Sequence, residues 1–198
     1  MSQHIEVEQR SPDWFALKIG KFSASSFSDF FMKPSTAGYK NAIADLAYER
    51  ITGKSSDTNG YINPAMQWGI EHEADAREAY ELKTFNLVKK CGIFVMSDWI
   101  CASPDGIVGE DGLLEIKCPQ PNTQMYYLAN NQLPDIYFWQ VHFQMYVAEK
   151  KWVDFFSWHP DLKPLLVRVY RDEKIIKEIQ EKIIESVKEV ENLISKIK

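Results

Sequence analysis

The residues best suited to chemistry lie close together in the middle of this 198-residue sequence, between positions 103 and 119. Asp105 is followed by Glu115 and, after one apolar residue, by Lys117. Two neighbouring carboxylates repel each other unless a hard cation lies between them, and Mg²⁺ is typically held by one or two carboxylates plus waters and phosphates. A lysine beside such a cation can position or deprotonate a water molecule. This spacing therefore indicates a candidate metal site.

A β-hairpin is the element that would bring these side chains together. The predicted hairpin consists of a strand at residues 100–108, a turn at 109–112 and a second strand at 113–118. Because side chains alternate along a strand, Glu115 and Lys117 share one face, and the turn brings Asp105 opposite Glu115. The alternative is an ordinary salt bridge between Glu115 and Lys117 on a solvent-exposed strand face, with Asp105 serving only the turn.

Length and composition indicate one globular domain spanning residues 1–198, with 45% hydrophobic and 26% charged residues. No apolar run approaches the roughly 18 residues that a membrane helix requires. The N-terminal residues lack the apolar core of a signal peptide, so a cytoplasmic protein is expected. Cys91, Cys101 and Cys118 form no C-x-x-C pair, which argues against zinc sites, iron–sulfur sites and disulfides.

The net charge of −5, from 23 basic and 28 acidic residues, argues against a protein that coats nucleic acid through many phosphate contacts. It leaves room for an enzyme with a local basic channel. Such an enzyme would hold DNA through few phosphate contacts, metal ions and enclosure.

The predicted elements alternate between helices and strands. Helices are expected at about residues 12–19, 23–33, 39–51, 63–83, 134–149 and 172–197, and further strands at 91–97, 153–158 and 165–170. Residues 54–60 and the stretch after Pro119 are predicted loops. The last helix is amphipathic. The whole predicts an α/β fold with a small central mixed sheet flanked by helices.

Two of these helices carry polar side chains on stripes that also hold apolar residues. Glu73 and Arg77 are either an ordinary i,i+4 pair at the edge of the core or a carboxylate and a guanidinium aimed into a cleft. Tyr137, Gln140 and Gln144 share a stripe of a largely aromatic helix. Gln140 is therefore expected to pack against a polar group.

The hairpin sequence resembles a known nuclease signature. Ser-Pro-Asp-Gly at residues 103–106 and Leu-Glu-Ile-Lys-Cys-Pro at residues 114–119 resemble the PD-(D/E)XK nuclease superfamily, and more closely the lambda exonuclease (YqaJ-type) viral recombinases. Further blocks resemble that family in the same order. They are Asp-Trp, Leu-Lys-Ile-Gly and Ser-Ala-Ser within residues 13–25, Trp-Gly and Glu-Ala-Asp-Ala-Arg within 68–77, Gln-Val at 140–141 and Arg-Asp-Glu-Lys at 171–174.

The resemblance implies a restriction-endonuclease-like core and a processive 5′→3′ exonuclease on double-stranded DNA that leaves 3′ single strands. Mg²⁺ would be the cofactor, with Mn²⁺ as a possible substitute. Asp105, Glu115 and the Ile116 carbonyl would be the metal ligands. Lys117 would act on the attacking water as base or positioner, and Glu73 and Gln140 would help to place metal, water or base.

The resemblance also implies a pocket for the 5′-terminal phosphate. Lys18 takes the place of a family arginine, and the hydroxyls would come from Ser23, Ser25 and Ser103. A lysine offers a cation without the two-pronged grip of arginine, so a modest preference for 5′-phosphorylated ends is expected. Met66 stands where the family places an apolar wedge between bases, with core packing as the alternative.

The implied assembly is a homotrimeric ring around DNA ends, working with a single-strand annealing protein in phage-type recombination within a bacterial host. Two other functions stay open at this point. One is an endonuclease of the same superfamily, of restriction or repair type. The other is a DNA-end-binding protein without catalysis.

Overall fold

A computed structural model describes residues 1–57 and 63–197, so residues 58–60 of the predicted 54–60 loop lie outside the described residues. The strands are β1 (Gln3–Ile5), β2 (Phe22–Ser23), β3 (Val88–Lys90), β4 (Ile93–Ser97), β5 (Ile100–Ala102), β6 (Gly106–Val108), β7 (Gly112–Lys117), β8 (Trp152–His159) and β9 (Leu162–Tyr170). The helices are α1 (Pro12–Lys18), α2 (Ala37–Thr52), α3 (Pro64–Thr84), α4 (Pro121–Asn130), α5 (Phe138–Ala148) and α6 (Glu173–Ile197). Short 3₁₀ helices cover Phe27–Phe31 and Asp135–Tyr137.

The described strands form two mixed sheets, in the orders β1-β4-β5-β2 and β3-β6-β7-β8-β9. In the second sheet β7 pairs antiparallel with β6 and parallel with β8. The segment between β7 and β8 carries α4 and α5, as a connection between parallel strands requires. The predicted α/β class with a mixed sheet flanked by helices is confirmed, with the strands divided between two sheets.

Helix ends follow the local signals in the sequence. The side chains of Ser11 and Asn63 accept backbone N–H bonds at the starts of α1 and α3, and each helix has proline in its first turn. Gly53 ends α2 in the left-handed conformation at φ 65°. The amphipathic helix α6 buries Ile176 and Ile183 and packs against α2 and α5.

Strand β7 runs through the interior, and residues 112–116 are all buried. Its neighbours β6 and β8 form backbone hydrogen bonds with it on both sides. Helix α3 contacts β7, and α5 contacts the neighbouring β8. Glu115 is 2% exposed. The alternative of a salt bridge on a solvent-exposed strand face is therefore wrong.

The predicted helix at residues 23–33 is wrong. Phe22 and Ser23 instead form β2, parallel to β5, and a 3₁₀ helix follows. Tertiary packing overrides the helical pattern, because Phe22, Phe27 and Phe30 join one aromatic cluster under the sheet. The loop expected after Pro119 contains α4, whose buried Gln124 binds the backbone of β8 and β9.

The predicted strand 100–108 is interrupted at residues 103–105. Its first part, β5, belongs to one sheet, and its second part, β6, belongs to the other. The break leaves Asp105 immediately before β6, where its side chain is released from the strand alternation.

Among the described helices, none combines the length and the apolar composition needed to cross a membrane.

Candidate active site

The pairing of β6 with β7 brings Asp105 next to the strand that carries Glu115 and Lys117. Gly106 lies opposite Leu114 in the antiparallel register, so Asp105 reaches across at the level of Glu115. Asp105 Oδ2 accepts a 2.7 Å hydrogen bond from the Ile116 backbone N–H. The expected approach of the two carboxylates is present.

Glu115 is held by donors from its own strand and from α5. Its Oε1 lies 2.6 Å from Lys117 Nζ and accepts a 2.5 Å hydrogen bond from Gln140 Nε2. Its Oε2 accepts a 2.6 Å hydrogen bond from Gln144 Nε2. Gln140 and Gln144 lie one turn apart on α5, so one helix face fixes both oxygens of a buried carboxylate.

Lys117 lies two residues after Glu115 on β7, with 26% of its side chain exposed. Its Nζ lies 4.9 Å from the centroid of the Tyr137 ring. Burial lowers the pKa of Lys117, but Glu115 and Asp105 together raise it, and the net effect is a pKa above the ordinary value. Lys117 is therefore a cation at neutral pH in this arrangement.

Glu73 on α3 lies between two arginines. Its Oε1 accepts a 3.1 Å hydrogen bond from Arg77 Nη2, and its Oε2 lies 2.7 Å from Arg10 Nη2. Arg77 Nη1 also donates to the Asp105 backbone carbonyl at 2.7 Å. The i,i+4 pair of Glu73 and Arg77 is present, and it also connects α3 to the loop that carries Asp105.

Negative charge accumulates around Asp105. Burial and the neighbouring Glu115 and Glu73 raise its pKa well above the ordinary value, although Lys117 and the Ile116 N–H offset part of the rise. A cation at this position would favour the ionised carboxylate. The local electrostatics therefore suit a bound metal ion.

The donor set also fits a hard divalent cation. Within the described residues nothing donates a hydrogen bond to Asp105 Oδ1, so that oxygen is available as a ligand. No group of three or more His, Cys, Asp or Glu side chains in the part of the chain that the structure describes is arranged to hold a metal ion. Two carboxylates plus water and substrate oxygens are a set that Mg²⁺ uses, so Asp105 and Glu115 could hold it.

A cleft of about 510 Å³ opens above these residues. Asp105, Lys117, Tyr137 and Arg10 line it, and so does Met66 on the first turn of α3. Met66 is 51% exposed, so the alternative that it packs in the core is wrong.

The residues expected to bind a 5′-phosphate are not all together. Lys18 and Ser23 line a second cavity of about 500 Å³ that shares none of its described lining residues with the cleft. Lys18 Nζ lies 4.2 Å from the centroid of the Trp14 ring, and burial lowers its pKa. Ser25 is exposed, with its hydroxyl 3.4 Å from that of Ser23.

Ser103 lies apart from both cavities and has a structural partner on each side. Its hydroxyl donates to the Gly92 carbonyl at 2.5 Å and accepts from Trp14 Nε1 at 2.9 Å. A hydroxyl has one proton to donate. Ser103 therefore has no donor left for a phosphate and instead ties α1 to the loop before Asp105.

Two residues of the site have a weaker signal in the sequence. Gln144 shares a helical stripe with Gln140, but its contact with Glu115 depends on how α5 packs against β7. Arg10 has no local signal at all, because its partner Glu73 lies on a distant helix. Only the fold brings Arg10 to the cleft.

Comparison with known proteins gives a consistent result. The YqaJ-like viral recombinase domain matches residues 13–151. A solved structure of an alkaline exonuclease (LHK-Exo) from Laribacter hongkongensis is 33% identical with a TM-score of 0.85, over 94% of this chain and 96% of that one. The structure of LHK-Exo in complex with dAMP has a TM-score of 0.86 at 32% identity, over the same shares of the two chains.

A more distant structure supports the fold alone. A phage-related exonuclease from Haemophilus somnus 129PT is 16% identical with a TM-score of 0.70, over 90% of this chain and 96% of that one. No curated protein matched the sequence. The domain match and the 33% identity to an exonuclease over nearly the whole chain support a nuclease role, and the chain belongs to the YqaJ-like viral recombinase family.

Proposed function

We propose that this protein is a Mg²⁺-dependent, processive 5′→3′ exonuclease on double-stranded DNA that leaves 3′ single-stranded overhangs for recombination by strand annealing. The observation that carries the proposal is that Asp105 and Lys117 line one cleft, with the buried Glu115 bonded to Lys117 and Gln140 directly beside them. The similarity to an alkaline exonuclease supports the exonuclease assignment. Mn²⁺ is proposed as a possible substitute for Mg²⁺.

Phosphodiester hydrolysis needs a nucleophile at neutral pH and neutralisation of charge at the phosphate, which a bound divalent cation supplies. In the proposed site Asp105, Glu115 and the Ile116 carbonyl would hold the cation. Lys117, as a cation, orients a water or a phosphate oxygen by donating hydrogen bonds. Gln140 fixes Glu115 from α5, and Glu73 orders the opposite wall through its pairs with arginine.

We propose that the 5′-terminal phosphate is bound by Lys18 with the hydroxyls of Ser23 and Ser25. Lys18 and Ser23 line one cavity, which supports their joint action. Ser103 acts indirectly in this proposal, through its hydrogen bond with Trp14, over whose ring Lys18 lies.

The Lys18 assignment predicts a modest ratio of cleavage rates for 5′-phosphorylated over 5′-hydroxyl duplexes. Lys18→Ala should bring this ratio to about one, whereas Lys18→Arg should increase it, because a guanidinium binds phosphate with two parallel hydrogen bonds. Lys33→Ala, outside the cavity, serves as the control. A wild-type ratio of one, or an unchanged ratio in Lys18→Ala, would remove Lys18 from the pocket.

Met66 is proposed as the wedge that separates the terminal bases. Its exposed thioether on the rim of the cleft supports this role, because an apolar side chain inserted between bases offsets part of the unstacking cost.

We further propose that the chain forms one nuclease domain over residues 1–198 and assembles as a homotrimeric ring in the cytoplasm of a bacterial host. The single-strand annealing protein that takes over the 3′ overhang is its proposed partner. The viral recombinase family supports this setting. A ring would also let an acidic chain hold DNA by enclosure.

Digestion of a linear duplex, labelled separately at the two ends of one strand, tests the activity. Release of the 5′ label before the 3′ label in Mg²⁺, no release in EDTA and an intact closed circular duplex are expected. Cleavage of the circle would instead indicate an endonuclease. Binding without cleavage in Mg²⁺ or Mn²⁺ would indicate an end-binding protein.

A further inference from the structure

We propose that Arg10 binds a phosphate of the DNA strand that enters the cleft, exchanging its ion pair with Glu73 for that phosphate. This inference rests on the proposed function. It adds a substrate-binding residue outside the hairpin and outside the Lys18 cavity. Four observations support it.

The first observation is the place of Arg10 in the molecule. It lines the cleft together with Lys117 and Met66, and it also lines a neighbouring cavity of about 590 Å³. Asp105 and Glu73 are the other residues common to the two cavities. Arg10 therefore stands at the wall of the catalytic cleft, where a substrate strand must pass.

The second observation is the unused hydrogen-bonding capacity of Arg10. A guanidinium carries five N–H donors, and within the described residues the side chain of Arg10 makes one hydrogen bond, to Glu73. Its side chain is 46% exposed. The remaining donors match the geometry of a phosphate, which arginine binds with two parallel bonds.

The third observation is that Glu73 has a second, more permanent partner. Arg77 binds the other oxygen of Glu73 and is only 15% exposed. Arg77 is further fixed by its bond to the Asp105 carbonyl. If Arg10 moves away, Glu73 still has the Arg77 guanidinium beside it, so its carboxylate is not left without a positively charged partner. Of the two arginines, Arg10 is the one that is free to exchange.

The fourth observation is the backbone of Arg10, which has φ 67°. This left-handed conformation is uncommon for residues with a Cβ, and strain of this kind is often found at functional positions. The neighbours fix the segment, because Gln9 Nε2 donates to the Cys91 and Pro104 carbonyls and Ser11 caps α1. The turn therefore presents the Arg10 side chain from an anchored base beside Asp105.

The test is equilibrium binding of duplexes in which one phosphate at a time, along the first linkages from the 5′ end, is replaced by a neutral methylphosphonate. Binding is followed by fluorescence anisotropy in Ca²⁺, with gel analysis showing that the duplex stays intact. The proteins are wild type, Arg10→Ala, Arg10→Gly and Arg10→Lys. Lys89→Ala is the control, because Lys89 also pairs with a carboxylate but lines only the neighbouring cavity.

Arg10→Ala should weaken binding of the unmodified duplex about tenfold, as expected for loss of a charge-assisted hydrogen bond. At one linkage the methylphosphonate should also weaken binding by wild type about tenfold. The same methylphosphonate should not weaken binding by Arg10→Ala any further, and this non-additivity would indicate a direct contact. Arg10→Lys should lie between the two. Lys89→Ala should bind like wild type.

Arg10→Gly separates contact from structural support. Glycine adopts φ 67° without the steric cost of a Cβ, so this variant should unfold at the same or a higher temperature than wild type and still bind weakly. The proposal would be overturned if each methylphosphonate weakened binding by the Arg10 variants as much as binding by wild type, at every linkage. It would also be overturned if the Arg10 variants bound the unmodified duplex as tightly as wild type. Wild type that binds ends with this coupling but degrades no DNA would contradict the proposed function and leave the Arg10 assignment standing.

Discussion

The ammonium of Lys117 lies 2.6 Å from Glu115 Oε1, and Glu115 and Asp105 raise its pKa more than burial lowers it. A lysine with a raised pKa keeps its proton at neutral pH. The sequence left two roles for this residue, a base that deprotonates water and a group that positions it. Before a cation binds, the charge balance of the site favours the positioning role, whereas a cation held by the two carboxylates would lower the pKa of Lys117.

Gln144 is the residue whose importance depends most on burial. It is 1% exposed and supplies the only donor to Glu115 Oε2 among the described residues. Gln144→Leu should leave that oxygen buried without a partner and cost roughly 1–3 kcal/mol of unfolding free energy. Nuclease activity should fall roughly 10–100-fold, as is typical when a residue that orients a metal ligand is lost.

Urea unfolding and initial cleavage rates measure the two effects of Gln144→Leu. Gln124→Leu is a matched control, because Gln124 is also a buried amide but, among the described residues, its side chain binds only Ser157 and the backbone of β8 and β9. It should lose stability with a smaller loss of activity. Wild-type rates in Gln144→Leu would show that Glu115 needs no support from this side.

At the scale of single residues, the sequence predicted the parts of the site that are close along the chain. Asp105, Glu115 and Lys117 follow from strand alternation and a turn, which are local. Arg10 could not be predicted, because its contact with Glu73 depends on the N-terminal turn meeting α3. Ser103 was expected to bind phosphate, but the position of Gly92 determines where its proton goes.

Among the elements, the junction of β3, β6 and α3 depends on the absence of a side chain at Gly106. A Cβ there would lie 2.3 Å from Val88 Cγ1 and 3.2 Å from Arg77 Nη1. Gly106→Ala should therefore displace β3 and Arg77, lower the stability and reduce cleavage, since Arg77 holds the Asp105 carbonyl.

Gly69→Ala is the stability control for this substitution, because among the described residues a Cβ at Gly69 meets nothing within 4 Å beyond its chain neighbours and its own helix backbone. Gly69 lies inside α3, where alanine should raise the unfolding free energy by about 0.5–1 kcal/mol. Thermal unfolding of both variants compares their stability, and the cleavage rate of Gly106→Ala is compared with that of wild type. A Gly106→Ala protein as stable and active as wild type would show that β3 and Arg77 adjust without cost.

The elements with strong local signals were predicted, and those decided by tertiary pairing were not. Capped helices such as α1 and α3 begin where serine or asparagine precedes proline. The short strand β2 exists only because β5 lies beside it, and its residues otherwise follow a helical pattern. The split of the 100–108 strand between two sheets is likewise invisible in the sequence, although it is what frees Asp105 from the strand.

At the scale of the whole molecule, the net charge of −5 is a constraint on how DNA is held. A single acidic subunit has few phosphate contacts to offer, so on its own it would bind DNA weakly. Enclosure by a ring depends less on such contacts. The proposed trimer therefore predicts a mass near three times 23.0 kDa by light scattering, together with processive degradation in moderate salt. A mass near that of one chain would count against the ring.

The central claim is that Asp105 is part of the catalytic metal site, and the most direct measurement is Mg²⁺-dependent release of nucleotides by Asp105→Asn. Asparagine keeps an acceptor for the Ile116 N–H and removes a carboxylate that burial and Glu115 disfavour, so the variant should unfold at the same or a higher temperature. It should lose detectable cleavage, whereas Asp135→Asn, at an exposed aspartate, should cleave like wild type. Full Mg²⁺-dependent activity in Asp105→Asn would contradict the assignment.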